Sequence, residues 1–146
     1  MTSPLQPSSL FDSEPVRVLK ADVAVMLERT RDELPAIQQL WPRFERLVGL
    51  SGRRMYAMVD EPAGVYMTCT PVKADDDPAA YGLETGVLPG GWYLQARILG
   101  QPPQLYARIG PAMRALVAQA EVDPARPLVE YYRRHDEIEL WVPVLD

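Results

Sequence analysis

The stretch PLVEYYRRHDEIELWVPVL, residues 127–145, predicts two strands that are joined by a short turn. Successive side chains of a strand point to opposite faces, so Leu128, Glu130 and Tyr132 should share one face of the first strand. If that face is solvated, Glu130 is an ordinary surface charge. If it looks into a cavity, moving the carboxylate out of water is costly and favours a positively charged partner.

The order of elements in the second half of the chain repeats that of the first half. The repeated pattern is strand, helix, strand, strand, and its predicted members are residues 16–30, 33–50, 52–60 and 64–72, followed by 90–100, 102–120 and the two final strands. Both halves close on a Pro-Val step, at Pro71-Val72 and Pro143-Val144. We therefore predict an α+β fold of two pseudo-symmetric β-α-β-β repeats, with an antiparallel sheet, two helices and a ligand groove between the repeats.

Composition limits the classes of function. Lys and Arg number 15 and Asp and Glu 20, which gives a net charge of −5 without a basic cluster, so direct nucleic-acid binding is not expected. No stretch approaches the roughly 18 apolar residues of a membrane span, and no signal segment is recognisable, so a cytoplasmic protein is expected. Residues 1–15 are predicted to form a flexible leader, and residues 16–146 a single domain.

Four motifs, taken in order, carry a resemblance to a known family. They are GVYMTCTPV at 64–72, LPGGWYLQARILG at 88–100, the Glu-x-Tyr of Glu130 and Tyr132, and IELWVPV at 138–144. In this order they resemble the GyrI-like small-molecule-binding family, the effector-binding domain found alone or attached to AraC-type and MerR-type regulators. The resemblance implies a duplicated fold and a pocket between the repeats for hydrophobic, often cationic molecules, with Glu130 at its centre.

The alternative to a role in ligand binding is that Glu130 is solvated or forms an ion pair, as most glutamates in proteins do. An arginine on a neighbouring strand, such as Arg97, could neutralise it. In the pocket that the resemblance implies, Tyr132 would lie on the same face and offer its ring to a cation or its hydroxyl to Glu130.

Three further aromatic residues are candidate ligand contacts, although each could be an ordinary core residue. Trp92 and Tyr93 are adjacent in a strand, so only one can face inward; we predict Trp92 as the ligand contact and Tyr93 as a structural residue. Tyr66 is the corresponding choice in the first repeat, because a symmetrical groove should receive an aromatic side chain from each half. Tyr106, early in the second helix, could close the pocket.

No metal or cofactor is expected. His135 is the only histidine and lies in a predicted turn, Cys69 alternates within an apolar strand, and Asp75–Asp77 point in different directions from one loop. We therefore expect His135 to be a surface side chain, Cys69 to be a small core residue, and Asp75–Asp77 to form a solvated loop.

Three functions follow as hypotheses. The first is a stand-alone sensor or sequestering protein for a hydrophobic small molecule, which we expect to be cationic. The alternative is a hydrolase that opens the strained cyclopropane rings of DNA-alkylating natural products, with Glu130 as general base and Tyr132 or Tyr106 protonating the departing group. The third is an interaction with another protein, which would be either a regulator or DNA gyrase.

Overall fold

The computed structural model describes residues 10–145, in which eight strands and three helices follow one another along the chain. The elements are β1 (Val16–Lys20), β2 (Val23–Arg31), α1 (Leu34–Val48), β3 (Met55–Asp60), β4 (Val65–Pro71), β5 (Glu84–Leu88), β6 (Gly91–Leu99), α2 (Gln104–Ala107), α3 (Ile109–Ala118), β7 (Leu128–Arg134) and β8 (Glu137–Pro143). The strands form one antiparallel sheet that curls into a half-barrel, which confirms the predicted α+β fold.

The order of strands in the sheet shows the duplication directly. It runs β1-β6-β8-β7-β3-β4-β2-β5, so the two halves are related about the β7–β3 pair at the centre. The edge strands are exchanged between the halves, because β1 pairs with β6 and β5 pairs with β2. Each repeat is therefore β-β-α-β-β. The sequence prediction missed β5 and treated β1 and β2 as one strand, although the chain leaves the sheet at Ala21-Asp22.

The two faces of the sheet are buried in different ways. On the helix face, defined here as the side that α1, α2 and α3 cover, residues such as Leu40, Leu105 and Leu116 pack onto the strands. On the opposite side, called the inner face, Tyr93, Val129 and other residues are fully buried although no helix of the described chain packs with their cluster. The curled sheet itself encloses them.

The start of the fold lies before the predicted boundary at residue 16. Phe11 is buried in the main core, and its neighbours are bonded to β6: the Ser13 hydroxyl accepts the Arg97 amide at 2.8 Å, and the Asp12 carboxylate accepts the Leu99 amide at 2.7 Å. An apolar side chain with anchoring polar neighbours explains why residues 10–15 belong to the fold. Residues 1–9 of the predicted leader lie outside the described residues.

The sequence predicts a solvated loop at Asp75–Asp77, but the side chain of Asp76 is buried in an ion pair. Asp76 receives both terminal nitrogens of Arg53, at 2.6 and 2.7 Å, and the side chains of this pair are 3% and 6% exposed. Within residues 10–145, no helix is both long enough and apolar enough to cross a membrane.

Candidate functional site

Strand β7 brings Glu130 to the centre of the helix face. It lies between Leu140 of β8 and Ala57 of β3, in the pair of strands about which the two repeats are related. The residue is 8% exposed, so its carboxylate is almost fully removed from water. Alternation along β7 places Tyr132 on the same face, as the sequence predicts.

Hydroxyl groups from both repeats contact one carboxylate oxygen. The Tyr132 hydroxyl donates to Oε1 of Glu130 at 2.6 Å, and the Tyr66 hydroxyl donates to the same atom at 3.3 Å. The indole Nε1 of Trp41, in α1, donates in turn to the Tyr66 hydroxyl at 2.9 Å. Glu130, Tyr132, Tyr66 and Trp41 are referred to below as the Glu130 cluster.

In the described part of the chain, Glu130 has no basic side chain beside it. Within residues 10–145 it forms no salt bridge, and Arg97, the alternative partner, lies 3.8 Å from Glu137 instead. Burial raises the pKa of Glu130 from 4.5 to about 7, while the hydrogen bonds from Tyr132 and Tyr66 act in the opposite direction. The carboxyl group can therefore gain or lose a proton near neutral pH, and a cation that reached it would favour the charged form.

Aromatic rings form the sides of this cluster. Trp41 meets Tyr132 edge-on with ring centroids 5.0 Å apart, and Tyr106 of α2 meets Tyr132 edge-on at 6.4 Å. Tyr106 is 48% exposed, so it lies at the outer end of the cluster. The apolar spacing of residues 34–48 predicts only that Trp41 lies on the buried side of a helix. Nothing local distinguishes a helix residue that reaches a site from one that only packs.

The structure does not bring Trp92 to the Glu130 cluster. In β6, Trp92 is four residues away from Ala96. Ala96 is paired with Leu140 of β8, which is paired in turn with Glu130 of β7, so Ala96 lies level with Glu130 two strands away. That separation is about 13 Å along the strand and about 10 Å across it. The Trp92 ring lies 5.0 Å from the Arg17 guanidinium instead, and Tyr93 is fully buried on the inner face.

The remaining candidates lie apart from the site. Cys69 is fully buried on the inner face, where burial raises the pKa of its thiol to about 12. His135 is exposed in the turn between β7 and β8. Neither residue offers a reactive group to Glu130.

The described residues form a cavity on each face of the sheet. The cavity on the helix face, about 350 Å³, lies between the end of β2 and the start of α1 and is lined in part by Thr30, Leu40 and Arg43. The other, about 400 Å³, opens on the inner face. Glu130 lines neither, so a ligand reaches its carboxylate only if the covering side chains move.

Comparison with known proteins finds similarity in structure alone. No protein-family model matches the sequence, and no curated protein does. The structure of SAV2435 bound to tetraphenylphosphonium superposes with a TM-score of 0.63 at 17% identity, covering 91% of this chain and 94% of that one.

Two other solved structures are similar. A putative transcription regulation protein from Staphylococcus aureus Mu50 has a TM-score of 0.62 at 16% identity, covering 91% of this chain and 99% of that one. A hydrolase from Listeria innocua has a TM-score of 0.54 at 10% identity, covering 90% and 92%. The chain therefore shares the fold of a cation-bound protein, a putative regulator and a hydrolase, consistent with the GyrI-like effector-binding fold that the sequence resembles.

Proposed function

We propose that this protein binds a hydrophobic organic cation at the Glu130 cluster and acts as a sensor or sequestering protein. The observation that carries the proposal is a buried carboxylate without a basic partner, surrounded by Trp41, Tyr66 and Tyr132. A buried ionised group without a partner is destabilising, so such an arrangement is expected where a ligand supplies the missing charge.

The chemistry favours a lipophilic cation over a small inorganic one. A delocalised organic cation loses little hydration when it enters an apolar site, and a carboxylate attracts it more strongly there than in water. The faces of the tyrosine and tryptophan rings add cation–π attraction. The structure of SAV2435, which has a similar fold, contains such a cation, tetraphenylphosphonium.

Access to Glu130 requires part of the cover to move, and α2 is the element best suited to do so. It is a single turn of four residues, Gln104–Ala107, without a side-chain cap at its start, and helices this short are marginal. It carries Tyr106 over Tyr132. We expect displacement of α2 to open a path to the carboxylate.

The test is a titration with tetraphenylphosphonium, followed by calorimetry and by tryptophan fluorescence. Glu130→Gln should weaken binding by about 10- to 100-fold, because it removes the charge and keeps the shape. Glu61→Gln, which removes the same charge from an exposed turn, should bind like the wild type. Equal affinity in the Glu130→Gln variant would contradict the proposal.

Fluorescence separates the two tryptophans that bear on the site. The sequence predicts Trp92 as the ligand contact, but Trp41 is the tryptophan that belongs to the Glu130 cluster. We therefore expect the cation to quench the fluorescence of Trp41. Trp41→Phe should remove most of the signal change and Trp92→Phe should preserve it. The reverse result would place the ligand near Trp92.

A second function is favoured by the acid–base properties of Glu130. A carboxyl group with a pKa of about 7 that accepts a 2.6 Å hydrogen bond from Tyr132 is suited to take a proton from water. The hydroxide would add to one carbon of a strained cyclopropane as the ring C–C bond breaks, and Tyr132 or Tyr106 would protonate the other carbon. The proton taken up by Glu130 would then return to the tyrosinate. The test is prolonged incubation with a cyclopropane-bearing alkylator. Complete recovery of the unchanged compound would contradict the hydrolase function and leave ligand binding as the only proposed function.

A further inference from the structure

The inner face carries a cavity that the Glu130 cluster does not use. It has a volume of about 400 Å³, within the range of small-molecule sites. Its aromatic walls are Tyr56 and Tyr131, stacked with ring centroids 4.5 Å apart, and Trp141, edge-on to Tyr56 at 5.7 Å. Tyr131 follows Glu130 in β7 and points to the opposite face, so the two sites lie back to back across one strand.

One polar group in this cavity lacks a partner. The side-chain oxygen of Gln95 is buried, and within the described residues no hydrogen bond reaches it. Gln95 lines the cavity beside Trp141, its registered neighbour on β8. A buried acceptor is normally satisfied, so this oxygen favours a ligand that supplies an N–H or O–H donor.

The charges around the cavity are predominantly positive. Lys20, Arg54 and Arg133 line it with a single carboxylate, Glu139. That carboxylate is occupied, because it accepts the Trp141 indole N–H at 3.1 Å and an Arg133 nitrogen at 3.3 Å.

The other two cations are not in close contact with an acidic group of residues 10–145, although Glu139 attracts Lys20 at longer range. Within residues 10–145, neither Lys20 nor Arg54 forms a salt bridge. The Lys20 ammonium lies over the Trp141 ring at 3.9 Å. Arg54 directly precedes β3, and extending the β3–β7 register by one residue sets it opposite Arg133. Arg133 is already paired with Glu137 and Glu139, so Lys20 and Arg54 are the cations that an anionic group would contact.

We propose that the inner-face cavity is a second binding site, which takes a small aromatic anion bearing a hydrogen-bond donor. The ring would pack against Trp141 and the Tyr56–Tyr131 stack. The anionic group would contact Lys20 and Arg54, and the donor would satisfy the oxygen of Gln95. The preference is opposite in charge to that of the Glu130 cluster and does not depend on it.

The probe for this site is 8-anilinonaphthalene-1-sulfonate, which combines aromatic rings, one negative charge and one N–H donor. We expect saturable binding at one site per chain, measured by dye fluorescence and calorimetry. Arg54→Gln and Gln95→Glu should each weaken binding by about tenfold, since one removes a charge-assisted contact and the other adds a repelling carboxylate. Arg114→Gln, on the exposed side of α3, removes the same charge as Arg54→Gln and should bind like the wild type.

Gln95→Leu provides a second variant if the added carboxylate impairs folding. It removes the acceptor without adding charge and should weaken the same dye. The proposal is overturned by absence of saturable binding, or by equal affinity in the Arg54→Gln and Arg114→Gln variants. It is also overturned if tetraphenylphosphonium displaces the dye and Glu130→Gln abolishes dye binding. Loss of cation binding with dye binding intact would contradict only the proposed function.

Discussion

Replacing Glu130 by glutamine should stabilise the protein at alkaline pH and leave its stability almost unchanged in mild acid. The folded chain holds this proton up to a pKa of about 7, whereas an unfolded glutamate releases it near 4.5. Stability of the wild type therefore falls as pH rises between these two values, and the loss is complete above the higher one. The interval corresponds to about 3 kcal/mol in the free energy of unfolding.

The assay is urea unfolding of both proteins between about pH 4 and pH 9, because the difference between them cancels the other titrating groups. We expect the variant to gain up to about 3 kcal/mol over the wild type above pH 8, and close to nothing near pH 4.5. Glutamine retains an oxygen for the Tyr132 hydroxyl, so loss of that hydrogen bond should not obscure the gain. Glu61→Gln should show no such trend. A difference that does not vary with pH would refute the assignment of Glu130 as an uncompensated buried acid.

Three further predictions test the site and the fold. Tyr132→Phe removes a hydrogen bond that favours the carboxylate, so the pH at which tetraphenylphosphonium affinity reaches half its alkaline value should be higher than in the wild type, as titration calorimetry can measure. Asp76→Asn should destabilise the chain by about 3 kcal/mol near neutral pH, because it leaves Arg53 buried and unpaired. Since Arg53 holds the pKa of Asp76 well below its usual range, this deficit should shrink as acid protonates Asp76 in the wild type; a constant deficit in urea unfolding would contradict the pairing. Phe11→Ala should cost about 3 kcal/mol by leaving a cavity, whereas a melting temperature equal to that of the wild type would place residues 10–15 outside the fold.

The two proposed sites would lie on opposite faces of one sheet, back to back across β7. The Glu130 cluster belongs to the helix face, where α1 and α2 supply its cover, while the basic inner-face cavity is built from strands alone apart from the loop residues at its mouth. Opposite charge preferences on the two faces would allow the chain to distinguish a cation from an anion without competition between them.

Periodicity in the sequence by itself determines the type of most helices and strands and which of their side chains share a face. Alternation along residues 127–134 places Glu130 and Tyr132 on one face, and the repeated order of elements predicts the antiparallel α+β architecture. These properties are local or follow from the order of elements, since a strand's pleat and a helix's turn set which side chains share a face. Symmetry between the halves predicts an aromatic contact at Tyr66, and the Tyr66 hydroxyl lies 3.3 Å from Oε1 of Glu130.

Only the tertiary structure decided which distant side chains meet. It brings Trp41 rather than Trp92 to the cluster, exchanges β1 and β5 between the repeats, and places Lys20 over Trp141 on the inner face. The local pattern at each of these positions is that of an ordinary helix, edge strand or surface lysine. Strand partners and helix packing depend on contacts far apart in the chain, and the burial that shifts the pKa of Glu130 exists only after those contacts form.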